Sequence, residues 1–519
     1  MRNQILRILQ KDIHYLWREI VLSVAILVAY AWHEVGRPPD SANTAYQISF
    51  LSETLPLLVV VAWGFLVLRV VQAESLVGDR QFWVTRPYEW KRLLVAKLLF
   101  VLIFVNIPLF ILQIFLLMNA GFPPTSYITG LLWLQLLWVA ILIWPSVTLA
   151  AVTASTGQFV LGVLGVVLYL YALGQLSGFV PAAGVAGANT ILGQLESAAL
   201  IGVSVAVVLL QYARRQTARS RILLVAAAAA FPLILFVTPF RILIEHAYPE
   251  AKANQPLPVR LAFDRSKPTS RQRGYPEEDK VHVRIPLLVS GIEDRDVVYV
   301  RGAVETIQAP GGGLEWNSGW HGAYMVLLTN RPHAQMDVTI EKGFFEQVKS
   351  IPVKMHITFA LAPVHARETR RVVTQAGQFT VPGGGRCSFS PLNPGNVYCL
   401  FPPSFHLLLV SARSEDVTCP PRSDETPLPT RSIGYEWVNG ASYGISPLVF
   451  GTLSLSDWGQ VKPGGFHPRV CPGTALTILT DWEDLQRVRI DLKIDGIHLA
   501  DYQLNDSRDD AVTFGVGVP

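Results

Sequence analysis

The sequence predicts a polytopic α-helical membrane domain of about seven transmembrane helices, followed by an all-β, sandwich-like extracytoplasmic domain. Half of the 519 residues are hydrophobic, only 16% are charged, and the mean hydropathy is +0.34, values unusual for a soluble globular chain. The apolar residues are concentrated before about residue 245, whereas the remainder has ordinary polar content and many Pro and Gly. We therefore predict an amphipathic interfacial helix at 1–19, a transmembrane domain at 20–245 and a β domain at 246–519, with a division near 364–368.

The first 19 residues carry apolar side chains at helical spacing on one face and basic side chains opposite them. This pattern is typical of a helix lying on a membrane surface. The apolar stripe consists of Ile5, Leu9, Ile13, Leu16 and Trp17. The next apolar run ends in Ala-Tyr-Ala at 29–31, which also fits a signal-peptide cleavage site, and the sequence leaves cleavage there open.

Seven apolar segments are predicted to cross the membrane. They are 20–32, 55–71, 98–118, 128–151, 159–176, 198–210 and 222–244. The first and the sixth are shorter than the roughly 20 residues that a straight crossing needs. Removing either segment would place a loop rich in Lys and Arg on the outer side of the membrane. Seven crossings keep these loops on the cytoplasmic side.

Lys and Arg cluster at 1–19, 72–97 and 211–221, whereas the intervening long loops hold almost none. Because basic loops stay on the cytoplasmic side, the amino terminus is predicted to be cytoplasmic and the chain after 245 extracytoplasmic. The expected location is a bacterial-type plasma (inner) membrane. Since the basic residues lie at helix ends in contact with the lipid bilayer, nucleic acid is not an expected partner.

After residue 251 the pattern changes to short alternating runs separated by Pro, Gly and Asn. Such runs predict β-strands in a sandwich, and the only helical signal there is a turn or two at 343–350. The predicted strands are 259–263, 280–289, 297–304, 323–329, 336–340, 353–361, 404–412 and 487–494.

All the cysteines, Cys387, Cys399, Cys419 and Cys471, fall in the β domain, where an oxidising compartment would suit disulfides. Four cysteines allow three connectivities, of which Cys387–Cys399 across a hairpin with Cys419–Cys471 is one. Zinc is the alternative, but the spacing lacks the pairs that zinc sites show. We therefore predict no metal site.

No catalytic residue and no bound cofactor are predicted. The Gly-Ala-Ser-Tyr-Gly motif at 440–444 has no helical pattern after it, so it indicates a turn rather than a nucleophile elbow. The glycine runs at 310–313 and 382–385 lack the Lys and hydroxyl residue of a phosphate-binding loop. Asp294, Asp296, Asp509 and Asp510 could contact calcium, but solvated turns explain them more simply.

The loop at 72–97 has the sequence QAESLVGDRQFWVTRPYEWKRLLVAK and combines aromatic anchors with cations. Its pattern of Glu, Gly, Pro, Arg, Leu and Lys resembles that of ABC-2 type transporter permeases between their second and third helices, over roughly residues 1–215. The resemblance implies a coupling helix that docks on a separate cytoplasmic ATPase subunit, which would bind the ATP and Mg. The docking residues that it implies are Glu74, Gly78, Phe82, Trp83, Arg86, Pro87, Arg92 and Lys97.

The expected function is that of the membrane subunit of an ATP-driven exporter, working as a homodimer or as a heterodimer with another permease. The seventh crossing and the large outer domain exceed the six-helix pattern of that family. The alternative is a membrane-anchored scaffold or sensor whose outer β domain binds a ligand or envelope protein. Within the predicted helices, Asn106, Gln113 and Gln135 either join helices to one another or line a route.

Overall fold

The structure is a computed structural model, and it describes most of the helical half and the main strands of the chain. The described residues are 2–35, 50–74, 89–177, 185–237, 240–251, 259–266, 279–323, 325–329, 332–373, 378–381, 385–389, 396–402, 408–414, 433–438, 445–454 and 475–504.

The amino-terminal half is helical. Its helices are α1 (Arg2–Val35), α2 (Phe50–Gln72), α3 (Trp90–Val101), α4 (Ile107–Asn119), α5 (Ile128–Trp138), α6 (Trp144–Val152), α7 (Thr156–Ser177), α8 (Ala186–Leu209), α9 (Thr217–Val237) and α10 (Phe240–Ala247). Wider π-helical turns join α3 to α4 at Leu102–Asn106 and α5 to α6 at Val139–Ile143, and a third, Leu210–Arg214, follows α8.

Six helical stretches within the described residues are long and apolar enough to cross a membrane, so the chain is a membrane protein. They are Gln4–Val35, Thr54–Gln72, Trp90–Asn119, Pro124–Val152, Thr156–Leu176 and Leu195–Arg214. The seventh predicted segment, 222–244, falls on α9 and α10, between which 238–239 lie outside the described residues. Seven crossings therefore remain a prediction.

Two helices are longer than the sequence pattern predicted, and α1 is kinked. α1 covers the predicted interfacial helix and the first crossing without any Pro or Gly, but it consists of two helices that meet at a kink at Leu16, where φ is −107° and ψ is 16°. The start of α8 is Ala186, well before the start predicted for the sixth segment at 198. The start of α3 is Trp90, well before the predicted 98, since good helix formers follow this position.

The carboxy-terminal half is rich in β-structure. Its strands are β1 (Arg260–Phe263), β2 (Lys280–Ser290), β3 (Asp296–Gln308), β4 (Glu315–Asn317), β5 (Met325–Leu328), β6 (His333–Glu341), β7 (Val353–Val373), β8 (Gln378–Val381), β9 (Gly385–Phe389), β10 (Asn396–Phe401), β11 (Leu408–Ser414), β12 (Ile433–Val438), β13 (Val449–Ser454), β14 (Ala475–Asp484) and β15 (Val488–Ile497). Each predicted strand overlaps one of these, and α11 (Lys342–Val348) lies at the predicted helical turn.

The chain divides into two compact units that do not follow its linear order. The first comprises 1–171, 197–231 and 367–482, and the second 172–196, 232–366 and 483–519. The boundary at 366/367 lies within β7, so the predicted division of the β domain near 364–368 stays a prediction. The later β segment is thereby grouped with most of the helices, whereas the end of the chain returns to the earlier β segment.

In the second unit two antiparallel sheets share one core. One sheet has the order β1–β2–β6, and in the other β3 pairs with β4, β5 and β7, which also pairs with β15. Alternate residues of β15 are buried, as expected for strands with one covered face. Side chains from both sheets, such as Ile285, Val338, Val300 and Ile357, belong to the same buried cluster.

In the first unit the helices enclose a core around Leu16, Trp63 and Phe100. Trp63 on α2 meets Trp138 on α5 edge to face, with 6.0 Å between the ring centroids. The β segment of this unit contains a four-stranded sheet of order β13–β10–β9–β8, while β11 pairs with β12 and β14.

Candidate functional site

The predicted docking loop joins α2 to α3, and both of its ends meet in one cluster of charged side chains. Glu74 follows the last turn of α2, and Lys97 lies two turns into α3. Lys11 and Asp12 reach the same point from α1. We call these four residues the ion cluster.

The contacts of the ion cluster are direct. Lys97 Nζ donates to Asp12 Oδ2 at 2.8 Å and also pairs with Glu74, so it bridges the two carboxylates. Lys11 pairs with Glu74 and lies 3.7 Å from Asp12 Oδ1. Two cations therefore balance two anions, and one salt bridge, Lys97–Glu74, links the beginning of the predicted loop to its end.

Three of these side chains are almost completely buried, with exposures of 0% for Asp12, 3% for Lys97 and 7% for Glu74. Burial alone raises the pKa of the Glu74 carboxyl, but the charges and hydrogen bonds of Lys97 and Lys11 outweigh it and hold that pKa below its ordinary value. Removing one member of a buried ion pair leaves an uncompensated charge in the interior. The loss of any of these three side chains should therefore destabilise the protein.

Further polar contacts tie the same ends of the helices together. Arg92 on α3 donates to Gln4 Oε1 on α1 at 2.5 Å and to Glu89 Oε1 at 2.9 Å. Gln72 at the end of α2 donates to Thr153 O at 3.1 Å, and Arg221 on α9 donates to Val152 O at 2.9 Å. The loop is thus anchored to α1, while its neighbours α2, α6 and α9 are joined beside it.

The structure places only part of the predicted docking set. Glu74 and Lys97 are buried in the ion cluster, and Arg92 is bonded to α1. Gly78, Phe82, Trp83, Arg86 and Pro87 lie outside the described residues. Glu74 and Lys97 therefore hold the base of the loop, facing the protein interior.

Lys11 and Asp12 were not singled out from the sequence, although one signal was available. Asp12 follows Leu9 by three residues and precedes Leu16 by four, so it lies on the apolar stripe of α1. An acidic residue on a buried helix face requires a cation from another element. The identity of that cation depends on the tertiary fold.

Asn106, Gln113 and Gln135 form one chain of hydrogen bonds within the helical region. Asn106 Nδ2 donates to Gln135 Oε1 at 3.2 Å, and Gln135 Nε2 donates to Gln113 Oε1 at 2.9 Å. Gln113 Nε2 in turn donates to the backbone oxygen of Ile445 at 3.3 Å. In this conformation the three amides join helices, the first of the two roles expected for them.

Cys387 and Cys399 form a disulfide between β9 and β10, where they lie directly opposite each other in the strand register. This is the hairpin pairing considered from the sequence. Cys419 and Cys471 lie outside the described residues, as does the Gly-Ala-Ser-Tyr-Gly motif at 440–444.

Of the aspartates considered for calcium, Asp296 has a specific partner. Its Oδ1 lies 2.5 Å from Nδ1 of His365, the residue opposite it on β7. Glu293 brings a third ligand atom, and all three lie within 4.8 Å of one another, a donor set that suits a divalent cation. Asp294 is exposed, and 509–510 lie outside the described residues.

Comparisons with known proteins add no functional assignment. No family model matches the sequence, and no curated protein matches it. Among solved structures, a red sea bream transglutaminase is 10% identical over 49% of this chain, with a TM-score of 0.13. The match spans 33% of that protein, and a TM-score this low carries no argument about fold or activity.

Proposed function

We propose that this chain is the membrane subunit of an ATP-driven exporter of the ABC-2 type, coupled to a separate ATPase through the loop at 72–97. The observation that carries the proposal is the ion cluster. A loop that receives force from a soluble partner must be rigid at its base, because a flexible base would absorb the movement. The salt bridge between Lys97 and Glu74 closes that base, and Asp12 and Lys11 anchor it to α1.

Because of the ion cluster, we infer different roles for the ends of the loop and for its middle. Glu74 and Lys97 transmit movement to α1 and α3, since they are buried and paired within the chain. Docking belongs to the aromatic and basic residues between them, above all Phe82, Trp83 and Arg86. Aromatic and Arg side chains are the usual energetic anchors of protein interfaces.

Seven crossings and a cytoplasmic amino terminus complete the proposal, with the β domain outside as a two-sheet sandwich that receives substrate or guards the exit. The described chain contains six helices that could cross the membrane and a core shared by two sheets. ATP and Mg are bound by the ATPase. The working unit is a dimer of permease chains.

Affinity purification of the full chain from its native membranes tests the proposal. We expect an ATPase subunit to co-purify with the parent chain, and the double variant Trp83→Ala/Arg86→Glu to lose at least about 90% of it, as for a change at interface hot spots. The control for the charge reversal is Arg219→Glu, on an exposed cation in the first turn of α9, which should retain the ATPase. Absence of any ATPase from the parent preparation would contradict the proposal and favour the scaffold alternative.

A further inference from the structure

The segment at 445–448, which we call the plug segment, enters the helical core of the first unit. Ile445 is 3% exposed and belongs to the same buried cluster as Trp63 on α2 and Leu112 on α4. Leu448 packs against that cluster and against a second one that contains Leu117 and Phe122. A short piece of irregular chain from the β-rich half is therefore surrounded by helix side chains.

Gln113 supplies the polar contact that this position requires. On α4 the side chains of Ile111 and Phe115 are exposed, as expected on a lipid-facing surface, whereas Gln113 is fully buried. Its Nε2 donates to Ile445 O at 3.3 Å. Non-helical backbone within a membrane is tolerated only where protein groups or water bond it, and Gln113 meets that condition for the plug segment.

The plug segment has its own internal order and a second anchor nearby. The Ser446 hydroxyl accepts a hydrogen bond from the Leu448 amide at 3.2 Å, which shapes the turn. In the same sheet as β13, which follows the segment, Arg386 on β9 lies against Gly121 at the end of α4. The β segment thus contacts α4 at its end and, through Ile445, two turns further in.

Beyond Gln113 the chain of amides continues to Gln135 and Asn106. Asn106 ends one π-helical turn, and Gln135 lies one turn before the other. Such turns widen a helix and occur frequently at functional sites. All three side chains are uncharged, so the ligand groups that they suit are neutral hydrogen-bond donors and acceptors.

We propose that the plug segment closes the helical domain over the amides Gln113, Gln135 and Asn106, and that its withdrawal exposes them as a binding site for neutral hydrogen-bonding groups of the substrate. Withdrawal frees Gln113 Nε2, the terminal donor of the chain of amides, for a ligand. The packing of the plug segment in the helical core does not depend on the proposed exporter function. Its role in substrate passage does rest on that function.

Cysteine accessibility in the full chain tests the closure. Leu116→Cys introduces a thiol into the same buried cluster as Ile445 without touching Gln113. We expect an impermeant maleimide added outside to leave it unlabelled in the parent background and to label it at least about tenfold faster with Ile445→Asp, which opens the cluster locally. Ile445→Val should preserve protection, and the exposed Asn119→Cys should react in every background.

A cross-link provides a second measurement that leaves Gln113 and Ile445 unchanged. Leu117→Cys with Leu448→Cys should form a disulfide on mild oxidation, because Leu448 packs against the buried cluster that contains Leu117. Met118→Cys with Leu448→Cys should not, because Met118 is exposed on another face of α4. Failure of the first pair to cross-link, or rapid labelling of Leu116→Cys in the parent chain, overturns the plug.

The same cross-linked protein separates the two proposals. With the plug locked, we expect the ATPase to co-purify as before and its stimulation by substrates with neutral polar groups to be lost. If the cross-link forms but no ATPase is captured from parent or variant, the plug stands and the exporter assignment fails. If the ATPase is captured and the cross-link never forms, the reverse holds.

Discussion

Lys97 is the residue on which the ion cluster depends most, since it contacts both buried carboxylates. Replacing it by Met leaves Asp12 and Glu74 buried with only the half-exposed Lys11. We expect Lys97→Met to lower the free energy of unfolding by about 3–5 kcal/mol, the usual cost of breaking a buried ion pair. Equilibrium unfolding of the full chain in mixed micelles measures this change.

The control for Lys97 is Lys349→Met, just after α11. Lys349 also has a carboxylate partner, Glu346 at 2.5 Å, but the two side chains are 42% and 50% exposed. We expect this change to cost less than about 1 kcal/mol, because solvent screens exposed pairs. Equal effects of the two changes would show that the ion cluster has no special weight.

In the second unit, the partly exposed His321 pairs with the buried Glu305. His321 Nε2 lies 2.8 Å from Glu305 Oε2, and Glu305 is fully buried. The hydrogen bond to Glu305 raises the pKa of His321 above its ordinary value of 6.5, with the negative charge adding to the effect and burial opposing it. The stabilisation is therefore complete below the unfolded-state pKa and is lost as the pH rises through the folded-state pKa.

We expect the thermal midpoint of the full chain to fall as the pH rises from about 6.5, the unfolded-state pKa of His. His321→Gln should remove this part of the pH dependence. Glu305→Gln should remove it as well, because the raised pKa requires the carboxylate. A slope that persists unchanged in both variants would assign it to other groups.

At the scale of elements, the bulge in β3 depends on a glycine. The register of β3 against β7 shifts between Val300 and Gly302. A Cβ at Gly302 would lie 2.8 Å from Val185 Cγ2 and 3.1 Å from the backbone oxygen of His321. Gly302→Ala should therefore cost about 1–3 kcal/mol of stability through overpacking.

Gly313→Ala is the matched control for Gly302→Ala, since no atom lies within 4 Å of the added Cβ. It should leave stability within about 0.5 kcal/mol of the parent chain. The comparison also reports on Val185, which lies just before α8 and is completely buried. If both alanines are tolerated equally, the packing of Val185 against β3 is not maintained in solution.

For the whole molecule, the charge pattern makes a prediction about orientation. The cations at 211–221 should be cytoplasmic and α11 extracytoplasmic. We expect Glu346→Cys, exposed on α11, to react with an impermeant maleimide added to intact cells. Arg214→Cys, also exposed, should react only after the membrane is permeabilised. The opposite pattern would invert the topology and remove the docking loop from the cytoplasm.

The sequence predicted elements with a strong local pattern better than those defined by pairing. Strands such as β2, β3 and β15 have apolar residues at regular spacing, and the long helices are continuously apolar. Each pattern can be buried only if the chain adopts the matching secondary structure, so the pattern predicts the element. Short strands such as β9 and β10 carry too few residues for a pattern. Their pairing and their disulfide become visible only once they lie side by side.

Membrane character, the position of the basic loops and the change to β-structure follow from the sequence alone, because hydropathy and charge act locally along the chain. The partners of Lys97 and Gln113 do not, since Asp12 is 85 residues and Ile445 is 332 residues away in the chain. The sequence shows that a buried polar group requires a partner, but it does not identify that partner. Only tertiary packing, which brings distant parts of the chain together, decided that one salt bridge closes the loop at 72–97 and that residues 445–448 lie among the helices.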